Sequence, residues 1–199
     1  MTAVDAAAPR RGTYANGERT RAALVDAAFE VFAEKGIERL SIRQLAEAIG
    51  TSHTALLHHF GSKDALLEAV MARREERDGP ERERLLRDRG FLDAVPAIME
   101  LNAGVPGLIR LDTRLRVEGL DSDNPAHEFT TRRQDDFYAS VISELEAEDA
   151  AGHLRAGLDL PVVAQLITSL VAGIQIAWLA DPDVDMGAHL EAFMALIRA

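Results

Sequence analysis

Three histidines, His53, His58 and His59, fall within one short stretch and form the densest group of metal-binding side chains in the chain. Their spacing does not make a metal site. Neighbouring residues on a helix point about 100° apart, and gaps of five or six residues do not bring two imidazoles onto one face. There is no H-E-x-x-H pattern and no cysteine, so the sequence points to no metal and no cofactor. Catalytic chemistry finds no footing either. The chain lacks G-x-S-x-G, a glycine-rich phosphate loop, a cysteine nucleophile and paired acid/base spacing, so it is read as having no catalytic residues and as not an enzyme. What the residue types do support is recognition. Ser41, Arg43, Ser52, His53, Thr54, Leu57, His58 and Lys63 cluster around three helix starts, where hydroxyls, imidazoles and cations can meet phosphates and base edges.

Such side chains are useful only if short helices hold them outward. Apolar residues at Leu24, Ala27, Ala28, Val31 and Phe32 repeat with helical period, and Gly36 is suited to end that helix. A second helix opens at Ser41 with Gln44 three residues on, a capping-box pattern, and carries Ile42, Leu45, Ala46 and Ile49 inward. Gly50 accepts a sharp turn. Ser52 then caps a third helix to Phe60, with Leu56 and Phe60 on its inner side. Residues 41–60 thus have the anatomy of a helix-turn-helix, with Ser52, His53 and Thr54 leading the helix that would enter a major groove. A fourth helix begins after Ser62 with Leu66, Leu67, Val70 and Met71, and dissolves into the charged run Arg73 to Arg77.

The charge distribution agrees with a local DNA-binding face. Of the total of −11, residues 1–63 carry a balance of +1 and the remaining 136 residues −12. Phosphate attraction acts within about 8–10 Å, so a positive face is enough even on an acidic protein.

Arg21, Ala27-Ala28, Phe32, Gly36, Ser41, Ile42, Leu45-Ala46, Gly50, Ser52, Leu56, His59-Phe60, Lys63 and Leu66-Leu67 together resemble the tetracycline-repressor (TetR) family over about a quarter of the chain. A softer echo follows in Trp178-Leu179 and Asp181-Pro182. The resemblance implies a homodimer, an N-terminal DNA-binding domain and a larger helical domain with an inducer pocket. It places Ser41 and Arg43 on backbone phosphates, Ser52, His53 and Thr54 at the start of the recognition helix, and Lys63 beside one phosphate. Two positions depart from the family pattern: Leu57 stands where the family usually has Tyr, and Thr54 where it often has Gly.

The remaining chain reads as all-α, for about nine helices in total. Met1 to Gly17 has no apolar run and is read as a disordered arm with no secretory signal. A DNA-binding domain is expected over 18–77, and Asp78-Gly79-Pro80 marks the boundary to a ligand-binding and dimerisation domain over 78–199. No charged residue occurs from Leu160 to Ala180. A membrane span is the alternative, but Gln165, Thr168, Ser169 and Gln175 interrupt the run and no basic flank orients it, so a buried dimerisation helix is preferred. With the last helix it forms a hairpin whose expected interface residues are Val163, Ile167, Leu170, Ile174, Leu190, Phe193, Met194 and Ile197. Arg110, Arg114, His127, Tyr138 and Trp178 are candidates for a ligand pocket, and Arg116, Arg132 and Arg133 could also line it. Arginines of this region can equally form ion pairs with Asp112, Glu118, Asp135 and Asp136. The resulting expectation is a cytoplasmic, ligand-responsive regulator, a repressor that binds a palindromic operator in double-stranded DNA as a homodimer and is released by a small-molecule inducer. The alternative is a helical ligand-binding or adaptor protein with weakened or lost DNA binding.

Overall fold

The structure, a computed structural model, describes residues 11–35 and 40–199. Among these the chain is all-helical: α1 (Arg11–Lys35), α2 (Ile42–Ala48), α3 (His53–Phe60), α4 (Lys63–Arg89), α5 (Phe91–Ala103), α6 (Pro106–Glu118), α7 (His127–Ala150), α8 (Leu160–Ala180) and α9 (Met186–Ile197). The only extended pairing among the described residues is an isolated antiparallel bridge between Leu154 and Arg198, which pins the C-terminus beside the α7–α8 loop.

Local chemistry accounts for most helix boundaries. Ser41, Ser52 and Ser62 each accept a backbone N–H three residues on, from Gln44, Ala55 and Ala65. At α2 the box is reciprocal, because the Gln44 side chain accepts the Ser41 backbone N–H at 2.9 Å. Asp159 caps α8 through Val162 N–H, and Asp185 caps α9 through Ala188 N–H. Gly50 and Gly61 lie at φ 72° and 74°, the left-handed region where a side chain is strained, and so allow the turns on either side of α3.

Two cores follow. In the first, Val25, Ala28, Phe29 and Phe32 of α1 meet Leu45, Leu56, Phe60 and Leu66, with Leu108, Leu111 and Leu115 of α6 closing it from below. The buried stripe of α1 is rotated from the expected one, with Leu24 and Val31 on its flanks. The second core joins α5, α7, α8 and α9 around Phe91, Met99, Leu145, Ile167, Leu190 and Met194.

Three expectations are corrected. The arm expected over 1–17 is helical from Arg11 onward; residues 1–10, like the helix stop expected at Gly36, lie outside the described residues. The chain break expected at Asp78-Gly79-Pro80 does not occur, since α4 runs through Pro80 to Arg89. Proline removes one backbone donor, and ion pairs brace the helix across that point: Arg82 to Glu75 at 2.7 Å and to Asp78 at 3.5 Å. The interface residues expected on α8 and α9 are also misplaced. Val163, Ile167, Ile174, Leu190, Met194 and Ile197 are buried inside the single chain, and only Leu170 and Phe193 are partly open. The error has a physical cause: on a helix apolar all round, composition does not say which stripe faces the chain's own core.

Leu56 is fully buried while its neighbour Leu57 is exposed. Leu56→Ala is expected to cost about 2–5 kcal/mol in urea unfolding, and Leu57→Ala close to nothing.

Candidate nucleic-acid interface and cavity

The head of the molecule is α1 to α3 with the first turns of α4. Leu45 and Ala46 of α2 and Leu56 and Phe60 of α3 are buried against α1, so the opposite faces of both short helices must point outward. The turn between them closes through Gly50 N–H to Glu47 and Thr51 N–H to Ala46. Ser41, Arg43, Ser52, His53, Thr54, Leu57 and His58 are all exposed, and Lys63 is half-buried at the first turn of α4. All eight expected recognition residues therefore lie on or beside the solvent-facing side of this two-helix unit. Burial, then the nearby Arg114 guanidinium, lower the Lys63 pKa from its ordinary value. His58 and His59 stack edge to face with centroids 5.2 Å apart, and among the described residues no three metal-binding side chains converge.

α4 fastens the head to the rest of the chain. On one side, Arg73 donates to Asp26 at 2.7 Å and Arg77 to Glu30 at 2.6 Å, while the Arg77 guanidinium lies 4.3 Å from the Phe29 ring centre. One residue further round, a second set of side chains grips the other helices. Arg74, 3 % exposed, donates through Nε to Asp78 and through Nη2 to Asn102 of α5. Arg133 of α7 bridges Glu75 of α4 (2.6 Å) and Asp112 of α6 (2.8 Å), and Arg116 donates to the other Asp112 oxygen at 2.8 Å. Burial alone would push the Asp112 carboxyl up, but Arg116, Arg133 and Arg74 outweigh it and hold the group below its ordinary value. Desolvation lowers the Arg74 pKa.

This network walls one end of a cavity of about 450 Å³ bounded by α4, α5, α6, α7 and α8. Its other walls combine Phe91, Val95, Met99, Phe137, Ile167 and Val171 with the polar Asp136, Ser140, Glu144 and Gln175. Of the residues that sequence offered for a pocket, Arg116 and Arg133 line it, whereas Arg110, Arg114, His127, Arg132, Tyr138 and Trp178 do not. Arg114 is engaged with Glu118 at 2.8 Å, and His127 is held by the Gly119 carbonyl at 2.7 Å. The Tyr138 hydroxyl reaches Pro161, Trp178 packs on the second core, and Arg110 is exposed on α6. The ion-pair reading holds for Arg114, Arg116 and Arg133. Among the polar cavity residues that sequence reasoning missed are Arg74, Asn102 and Gln175. The latter two are isolated amides in apolar helices, a signal that was present; Arg74 was hidden in a charged run that reads as solvated.

The residues of the head match a family model, "Bacterial regulatory proteins, tetR family", over residues 24–70. Across nearly the whole length, the chain is 28 % identical to the HTH-type transcriptional regulator SrpR of Pseudomonas putida, covering 94 % of this chain and 90 % of that one. It is 24 % identical to the regulator UidR of Escherichia coli, with 90 % of each covered. The fold matches a crystal structure of a TetR-family regulator from Agrobacterium tumefaciens with a TM-score of 0.74 at 16 % identity, over 92 % of this chain and 100 % of that one. The outward-facing α2–α3 pair thus lies in a segment, residues 24–70, that is that of the tetR family of bacterial regulatory proteins, and the chain as a whole is similar to transcriptional regulators along nearly its full length.

Proposed function

We propose that the protein is a ligand-responsive repressor that grips operator DNA with two α2–α3 heads, one from each subunit of a homodimer, and releases it when a small molecule enters the cavity. The observation that carries this reading is the exposure of seven of the eight expected contacts, with Lys63 half-buried beside them, while Leu45, Leu56 and Phe60 anchor the two short helices in the core. Ser52, His53 and Thr54 lead α3 into a major groove; Arg43 and Lys63 bind flanking phosphates. Thr54 adds a side chain close to the groove, and Leu57 offers an apolar contact in place of a hydroxyl. The protein works in the cytoplasm, where the DNA is.

The second copy docks on the outer side of the α8–α9 hairpin. Val162, Leu166 and Ile176 of α8 and Leu196 of α9 are 54, 49, 52 and 63 % exposed, and Gly173 and Ala177 between them let a neighbouring backbone come close. These residues replace the set expected from sequence, most of which fills the protomer's own core. α8 is also long and apolar enough to cross a bilayer by composition. Its packing against α7, α9 and α6 and its interrupting polar residues support the dimer reading instead.

Release follows from the double grip of α4. A ligand that prefers a cavity geometry with altered ties to Arg74, Glu75 or Asp78 must move α4. α4 carries Asp26 and Glu30 of α1 with it, so the head swings out of groove register.

Mobility shifts with the promoter region beside the protein's own gene test the DNA reading. Arg43→Ala and Lys63→Ala each remove two phosphate contacts from a dimer, so each is expected to reduce the salt slope of log K by about two. No shift at low salt would contradict the repressor reading. Leu166→Glu combined with Ile176→Glu is expected to give a monomer in sedimentation velocity with unchanged helix content; a dimer that survives would contradict the proposed interface.

A further inference from the structure

The cavity is chemically lopsided, and its polar end carries a surplus of positive charge. In the network that ties α4 to its neighbours, Arg74, Arg82, Arg116 and Arg133 share three carboxylates, Glu75, Asp78 and Asp112. Within this network one guanidinium is in excess; over the cavity as a whole Asp136 and Glu144, on the α7 wall, offset it. The donors show where that excess can be spent. Arg74 commits Nε to Asp78 and Nη2 to Asn102; Arg116 commits Nε to Asp112. The hydrogen bonds of these two side chains among the described residues involve only Arg74 Nε and Nη2 and Arg116 Nε; the remaining Nη groups are not sealed from solvent, and both side chains line the cavity. Opposite them the lining is hydrocarbon and sulfur: Met99, Phe137, Ile167 and Val171.

We propose, resting on the reading of this cavity as the ligand site, that its ligand is an amphipathic organic carboxylate. The carboxylate is received by the uncommitted guanidinium nitrogens of Arg74 and Arg116, and an aliphatic or aromatic body lies against Met99, Phe137 and Ile167. Guanidinium matches a carboxylate in charge and planarity, and such charge-assisted bonds are strong where water is excluded. A volume of about 450 Å³ suits a small molecule of this kind. Asp136 and Glu144 of α7 also line the cavity and make no ion pair among the described residues. They disfavour an anion along their own wall and so direct the carboxylate toward α4 and α6. The choice of anchor also supplies the coupling. A carboxylate on Arg116 competes with Asp112, and one on Arg74 competes with Asp78, so the ligand draws on the same guanidiniums that hold α4 to α5 and α6.

Two matched sets of probes test the assignment on the full chain: decanoate, decanol and decylamine, and 2-naphthoate, 2-naphthol and 2-naphthylmethylamine. Binding is read by calorimetry and thermal shift, and DNA binding on the same samples by mobility shift. In at least one set the carboxylate is expected to bind about tenfold or more tightly than the alcohol, a difference in the range of a charge-assisted bond. Arg116→Gln is expected to abolish that preference while Asp136→Asn leaves it intact or enlarges it. Asp136→Asn also serves if Arg116→Gln unfolds. Tighter binding of the amines, or equal binding within both sets, would overturn the carboxylate assignment while leaving a ligand cavity in place. Binding of no probe would overturn both. The mobility shift, which needs no ligand, separates either failure from a failure of the DNA-binding reading.

Discussion

The molecule depends on one helix being held from two sides at once. α4 leaves the head at Lys63 and runs without a break to Arg89, and consecutive residues of its middle turns face different partners. Arg73 and Arg77 grip the acids of α1, whereas Arg74, Glu75 and Asp78 enter the buried network with Asn102, Asp112 and Arg133. The helical repeat makes this possible, since adjacent side chains are turned about 100° from one another. At roughly 1.5 Å per residue, the helix carries a displacement from cavity to head as a stiff rod. α6 reinforces the link, because Leu108, Leu111 and Leu115 belong to the core of the head while Asp112 and Arg116 of the same helix face the cavity.

The energetics suit the ligand-driven rearrangement proposed above. Buried ion pairs gain little net stability after desolvation, but breaking one member of a pair is costly. Asp112 is shared by two arginines and Arg133 by two acids, so a rearrangement can exchange partners without stranding a charge. The head itself is built differently. Its interior is hydrocarbon and its helix starts are capped, which favours one rigid presentation of α3 over several. Rigidity at the reading surface and exchangeable pairs at the cavity are complementary properties of one chain.

How much of this was legible in the sequence follows the range of each interaction. The α2–α3 unit could be read nearly residue by residue because its determinants are local: Ser41 with Gln44, Ser52 with Ala55, Gly50 at a positive φ. The bounds of α8 were legible for the same reason, with Asp159 as cap and Asp181 beyond its end. Long-range facts were not. Nothing near Pro80 in sequence says that Glu75, Asp78 and Arg82 brace the helix across it. The cavity also assembles from five helices, so choosing among the arginines required knowing that Arg133 and Arg116 converge on Asp112 whereas Arg114 turns to Glu118. The dimer face failed for a subtler reason. Ile167 and Leu166 are adjacent and equally apolar, and only tertiary packing buries the first and leaves the second outside.

The central claim is that pairing through the α8–α9 hairpins sets two α3 helices at the spacing of successive major grooves. Because the chain has no cysteine, a single Glu47→Cys substitution places one spin label on the exposed side of each α2, next to the recognition helix and off the expected DNA contacts. Pulsed dipolar spectroscopy on the DNA-bound protein should then give one narrow distance consistent with helices about 34–36 Å apart, or a multiple of that. No dipolar coupling, or a broad distribution unchanged by DNA, would contradict the account.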